Sequence, residues 1–215
     1  QSIVSWTGNG LDNVESIGHG LSSKPEMVIV KDRDATYNWY VDTFIDGVPD
    51  KHLELNSTGA TNSWKPWSSA STTLLTSIGS AGTGWWTNNT NDQIAYCFHS
   101  VTGYSKFGSY SGNGSTTGPV VTTGFSPAFV MIKRTDAVDN WIIMDNTRDP
   151  YNPADKWLYP NGSFEEYDGA TRELDFLANG FQPKAATTEF NASGGTYIYA
   201  AFADTREYAY WYDQS

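Results

Sequence analysis

The chain reads as one stretch of roughly 100 residues written twice, and that constrains its fold more than any other feature. Ser5-Trp6-Thr7-Gly8-Asn9-Gly10 returns 104 residues later as Ser109-Tyr110-Ser111-Gly112-Asn113-Gly114. Lys24-Pro25-Glu26-Met27-Val28-Ile29-Val30-Lys31 returns 102 residues later as Ser126-Pro127-Ala128-Phe129-Val130-Met131-Ile132-Lys133. Asn38-Trp39 returns as Asn140-Trp141, Asp42 as Asp145, and the run Ile94 to Phe98 as Ile198 to Phe202. Landmarks in one order at nearly one offset mark a duplication. A unit of this size matches a small β-sandwich. The expected architecture is all-β: a tandem duplication of two sandwich domains, jelly-roll or lectin-like, over residues 1–103 and 104–215. The join falls near Val101-Thr102-Gly103-Tyr104 without a Pro- or Ser-rich linker, which predicts a fixed geometry between copies.

Local patterns agree with strands and turns. Met27 to Val30 and Phe129 to Ile132 are apolar runs of strand length, each just after a proline, which suits the first residue of a strand or an edge. Trp39 to Val41, Trp141 to Met144 and Tyr197 to Phe202 are rich in β-formers. Asn9-Gly10, Asp46-Gly47, Asn113-Gly114, Asp168-Gly169 and Asn179-Gly180 suit tight turns, and Asn179-Gly180 closes a hairpin between Leu174-Asp175-Phe176 and Phe181. No window carries a long helical period; one helical turn is predicted around Phe164 to Tyr167.

Composition narrows the function classes. With 24 acidic against 13 basic residues the net charge is −11, and no Lys/Arg cluster offers a footprint for nucleic acid or an anionic membrane surface. Charged residues make up 17% of the chain, against about 25% in an ordinary soluble domain, while aromatics reach 15%. Ser, Thr and Asn must therefore carry most of the polar surface, a profile suited to an extracellular or virion protein. The single cysteine, Cys97, excludes an intramolecular disulfide and sits in the buried-strand pattern Ile94 to Phe98. No apolar run approaches the ~18 residues of a membrane span, so no membrane insertion is expected. The chain opens on Gln1 without a signal-peptide pattern, as expected of a fragment or a processed product.

Catalytic and metal signatures are weak. His19, His52 and His99 have no His counterparts in the second copy, and no HxH or HExxH spacing occurs. GxSxG, P-loop and dinucleotide-binding patterns are lacking too. Glu165-Glu166-Tyr167-Asp168 and Asp32/Asp34 group carboxylates, but a glycosidase needs two facing across a sugar. Asp32 to Asp34 and Asp136 to Asp139 fill equivalent loops with oxygen ligands of the kind calcium takes, without an EF-hand pattern. No enzyme activity, cofactor or metal is expected.

The aromatic excess carries more. Trp39 and Trp141 occupy equivalent positions and are predicted to pack in the cores. Trp64, Trp67, Trp85 and Trp86 lie in a Ser/Thr/Asn/Gly-rich stretch of the first copy without clear partners in the second. Three roles stay open for them: a sugar-stacking surface, an interface, or packing inside the molecule. Tyr208, Tyr210, Trp211 and Tyr212 form an aromatic, weakly charged closing strand that could complete its own sheet or add to an edge on another chain. The opening strand, Ser2 to Trp6, is the matching candidate edge; a head-to-tail exchange of this kind builds rings or filaments. N-glycosylation triplets occur at Asn56, Asn88, Asn113, Asn161 and Asn191, the third inside the repeated Gly-Asn-Gly turn.

These motifs together resemble a known family. Ile17-Gly18-His19-Gly20-Leu21, the run Gly103 to Gly114, the run Gly124 to Asp136, Asp145-Asn146-Thr147-Arg148-Asp149-Pro150-Tyr151-Asn152 and the run Asn191 to Ala203 are similar to a repeated β-rich domain of unknown function found in tail-fibre and other virion structural proteins of aquatic bacteriophages. The likeness runs from about Ser5 to Ala203. It implies an all-β structural module and brings no catalytic residues. The expected function is a non-enzymatic structural subunit of an extracellular or virion fibre, partnered with itself as a homo-oligomer or helical filament. The alternative is a carbohydrate-binding adhesion module that takes surface glycans.

Overall fold

The computed structural model describes residues 1–10, 15–45, 51–61, 67–77 and 89–204. It is almost entirely β, in antiparallel sheets. Contacts divide the chain into two compact units, Gln1–His99 and Ser100–Ser215.

In the first unit, strands β1 (Ser2–Thr7), β2 (Ser16–Gly18), β3 (Met27–Asp32), β4 (Tyr40–Thr43), β5 (Lys51–Glu54), β6 (Trp67–Ala70), β7 (Leu74–Ser77) and β8 (Asp92–Phe98) make two sheets. The larger has the order β1-β8-β3-β4-β5 and the smaller β2-β7-β6. Alternation fixes which face is inside: Gln93, Ala95 and Cys97 of β8 are buried. The core joins Val28, Val30, Ala95 and Cys97 of the larger sheet to Ile17, Trp67 and Leu75 of the smaller, a sandwich-like packing. Burial pushes the Cys97 thiol up to about 12, so this cysteine serves as a small apolar side chain.

The second unit holds β9 (Ser105–Ser111), β10 (Val121–Thr122), β11 (Pro127–Arg134), β12 (Trp141–Asp145), β13 (Lys156–Trp157), β14 (Tyr167–Asp168), β15 (Leu174–Leu177), β16 (Gly180–Pro183), the short helix α1 (Thr188–Asn191) and β17 (Thr196–Ala203). Its main sheet has the order β12-β11-β17-β9, and β10-β16-β15 lies in a second sheet. Val130, Ile132, Tyr199 and Ala201 meet Val121, Phe181, Leu174 and Phe190 in one core. β15 and β16 form the expected hairpin, with Leu177 paired to Gly180. A Cβ at Gly180 would fall 2.0 Å from the Val121 carbonyl oxygen, so β10 can pair there only with glycine.

Equivalent strands occupy equivalent places in the two main sheets. β1-β8-β3-β4 and β9-β17-β11-β12 share one order. Single hydrogen bonds recur at the same offsets: Gly8 N–H donates to Asn91 O as Gly112 does to Gly195 O, and Arg33 N–H to Asp92 O as Thr135 does to Thr196 O. Gly10 and Gly114 both hold positive φ, 67° and 69°, as the repeated Asn-Gly turns require. The lysine of each repeat also does one job: Lys31 Nζ donates to Asp32 O at 2.6 Å, and Lys133 Nζ donates to Arg134 O at 2.8 Å.

Two local expectations fail. Phe164 to Tyr167 is not helical; Tyr167 begins β14 opposite Trp157. Pairing with β13 and the stack of Tyr167 on Trp157 hold this stretch extended instead. Trp141 is buried, but its counterpart Trp39 is half-exposed, its ring lying over Tyr96 at 6.4 Å rather than in the core.

Candidate functional site

The sequence-level site residues separate into three groups. Trp67 belongs to no surface: it is fully buried in β6, 6.0 Å from the Trp6 ring, and a side chain without exposed area cannot stack a sugar or meet a partner. Of the three roles open to it, packing inside the molecule is the one realised. Trp64, Trp85, Trp86, Asn88, Tyr208, Tyr210, Trp211 and Tyr212 lie outside the described residues.

The remaining triplet asparagines each make side-chain hydrogen bonds within the fold. Asn56 Oδ1 accepts from Trp39 N–H at 2.9 Å while its Nδ2 donates to Asn38 Oδ1. Asn161 repeats this clasp on Trp141 N–H and Asn140 Oδ1. Asn191 is fully buried; its Nδ2 reaches Ser115 O at 2.6 Å and its Oδ1 accepts from Asn113 N–H at 2.9 Å. Glycosylation of Asn191 would need that amide in solvent, so this candidate is overturned. Asn113 is exposed, yet its side chain donates to Thr117 O and accepts from Ser115 N–H inside the turn.

Several buried polar groups are held by partners within the fold. His19 accepts from Leu21 N–H at Nδ1, which leaves Nε2–H to donate to Ser71 O: a neutral ring serving as a brace. His52 and Asp42 face each other across β5 and β4, Nδ1 to Oδ1 at 3.4 Å. Burial of Asp32 raises its pKa, but the Asn89, Asn91 and Gln93 side chains and the Asp34 amide outweigh this and lower it. A carboxylate lined with amide donors has little oxygen left for a cation. Asp145 and Glu166 share Arg148, and Arg172 holds Glu189.

Two exposed features stand apart. The first is the edge strand β1. Gly8 N–H donates to Asn91 O, so in the register of β1 with β8 the amides of Trp6, Val4 and Ser2 face the ladder. Those of Ile3, Ser5 and Thr7 point the other way, with no backbone partner among the described residues. The strand has six residues, no lysine, no proline and no bulge, and Ile3 is 56% exposed.

The second is an aromatic shelf in the second unit. β13 places Trp157 opposite Tyr167 of β14, and their rings stack at 5.4 Å with an interplanar angle of 6°. Tyr159 meets Tyr167 edge-on at 5.1 Å and Phe164 at 6.1 Å. The Arg172 guanidinium sits 5.1 Å from the Trp157 ring centre and donates to Glu189, which also accepts from the Tyr159 hydroxyl. The shelf runs from buried Trp157 outward to Phe164, which is 60% exposed.

The family model described as a domain of unknown function, DUF7483, matches residues 1–206, nearly the whole chain. The chain belongs to this family. No curated protein and no solved structure matches it. In this family member the shelf is what residue patterns missed. Phe164 to Asp168 carries its signal only as aromatic rings among carboxylates, and Trp157, Tyr159 and Arg172 join them through strand pairing that no local pattern encodes.

Proposed function

We propose that this chain is a non-enzymatic structural module that assembles with copies of itself, through the open edge of β1, into an extracellular or virion-surface fibre. The edge of β1 carries the reading. Native sheets usually blunt an edge with lysine, proline or a bulge, and a long edge without them templates strand addition. The aromatic segment Tyr208, Tyr210, Trp211 and Tyr212 is the proposed incoming strand, giving a head-to-tail contact that propagates. Tandem duplication suits such a part, since each copy brings one stable sheet; the shared strand order supports that origin. Engagement of Asp145, Glu166 and Glu189 by arginines favours a structural over a hydrolytic use of these carboxylates.

Negative-stain microscopy and sedimentation of the full chain test this. The expected result is regular assemblies in the unaltered chain and monomers in Ser5→Pro, which removes an outward amide and spares the β8 ladder. Monomers of the unaltered chain at every concentration, or assemblies unchanged by Ser5→Pro, would overturn it. A second reading, carbohydrate recognition, is favoured by the shelf around Phe164.

A further inference from the structure

We infer that the exposed ring of Phe164 is the stacking platform of a binding site for a neutral pyranose sugar in the second unit; this places the carbohydrate-recognition reading at specific residues and rests on it. A lone exposed apolar side chain needs no explanation, but this one is held in place. A Cβ on Gly162 would fall 2.5 Å from the Phe164 ring, so the ring lies against the glycine backbone. Tyr159 meets it edge-on, and the Tyr167 ring lies 6.2 Å away at 55°. Tyr167 is itself stacked on Trp157, which carries the Arg172 guanidinium. One face of Phe164 is thus braced back to the core through successive contacts, while 60% of the residue meets water. Ordering a ring costs side-chain entropy, and leaving it exposed recovers little of that through burial.

The surroundings select the ligand. A flat apolar face beside a few polar groups is how small-molecule sites combine contact with orientation. Pyranoses match it, with a C–H face for the ring and hydroxyl donors for the rim. Glu166, two residues on, spends Oε2 on Arg148 Nη1 at 2.7 Å, and its other oxygen has no partner among the described residues. Glu165 and Asp168 add further carboxylates, which disfavour an anionic ligand. A protein partner would need about 800 Å² on each side; the shelf exposes chiefly Phe164 and, at 36% exposure, part of Tyr167.

Saturation-transfer NMR on the full chain tests the site, with methyl glucoside, methyl galactoside, methyl mannoside and N-acetylglucosamine as probes. At least one probe is expected to receive saturation at its ring C–H protons. That signal should fall at least tenfold in Phe164→Ala and in Phe164→Leu, and persist in Phe164→Tyr, with circular dichroism unchanged in all three. No transfer to any probe would overturn both the carbohydrate reading and the site. Transfer that survives Phe164→Ala or Phe164→Leu would overturn the site alone. A shift of Phe164→Ala toward monomer in sedimentation would make the ring a contact between copies and overturn it as well.

Discussion

Asn191 is a single buried side chain on which two parts of the second unit converge. Its amide ties α1 to the Gly112 to Gly114 turn through Asn113 N–H and Ser115 O. Asn191→Ala strands these groups in a buried setting and is expected to cost about 2–5 kcal/mol, read from denaturant midpoints; exposed Ser193→Ala should cost under about 0.5 kcal/mol. Two charges give opposite pH behaviour. The hydrogen bond from Arg134 holds the Asp136 carboxyl down at about 2. Its stabilising contribution is whole above about pH 4, the unfolded value, and is lost as pH falls toward 2. Thermal melts of Asp136→Asn should therefore show a smaller loss between pH 5 and pH 2 than the unaltered chain. Burial pulls the Lys133 ammonium down to about 8, so at neutral pH folding works against desolvating a charge. Lys133→Met removes this cost together with the Nζ–H donated to Arg134 O, so any gain it brings at pH 7 is expected to shrink as pH rises past 8 toward 10. A gain constant with pH would contradict that account.

Elements differ in how openly the residues announce them. β3, β11, β8 and β17 were legible because apolar runs or strict alternation recur in both copies, and the Asn179-Gly180 hairpin because turn chemistry is local. The pairing of β13 with β14 was not legible: each has two residues, and what holds them is the Trp157 to Tyr167 stack across nine intervening positions. Trp67 misleads for a related reason. Its neighbours are Ser, Ala and Pro, yet β7 lays it against Trp6 and Leu75 in the core. Trp67→Ala should destabilise by about 3–5 kcal/mol; a change below 1 kcal/mol by chemical denaturation would return that ring to the surface. The edge of β1 makes a prediction of its own scale. Ile3→Lys places a charge on the open strand and should weaken assembly while leaving the melting of the dissociated chain within about 0.5 kcal/mol.

For the whole molecule, the recurrence of landmarks along the residues is the strongest sequence feature, and four strands of each main sheet follow one order. The candidate site was harder to read, since the shelf depends on contacts among residues 157 to 189 and the edge on what does not pair with β1 among the described residues. The measurement closest to the central claim is residue-resolved amide hydrogen exchange of the full chain at low and high concentration. Assembly through β1 predicts that Ile3, Ser5 and Thr7 amides exchange freely when dilute and gain at least tenfold protection when concentrated, while Val4 and Trp6 stay protected throughout. Exchange at Ile3, Ser5 and Thr7 that does not depend on concentration, in a chain that sedimentation shows to be assembled, would contradict it.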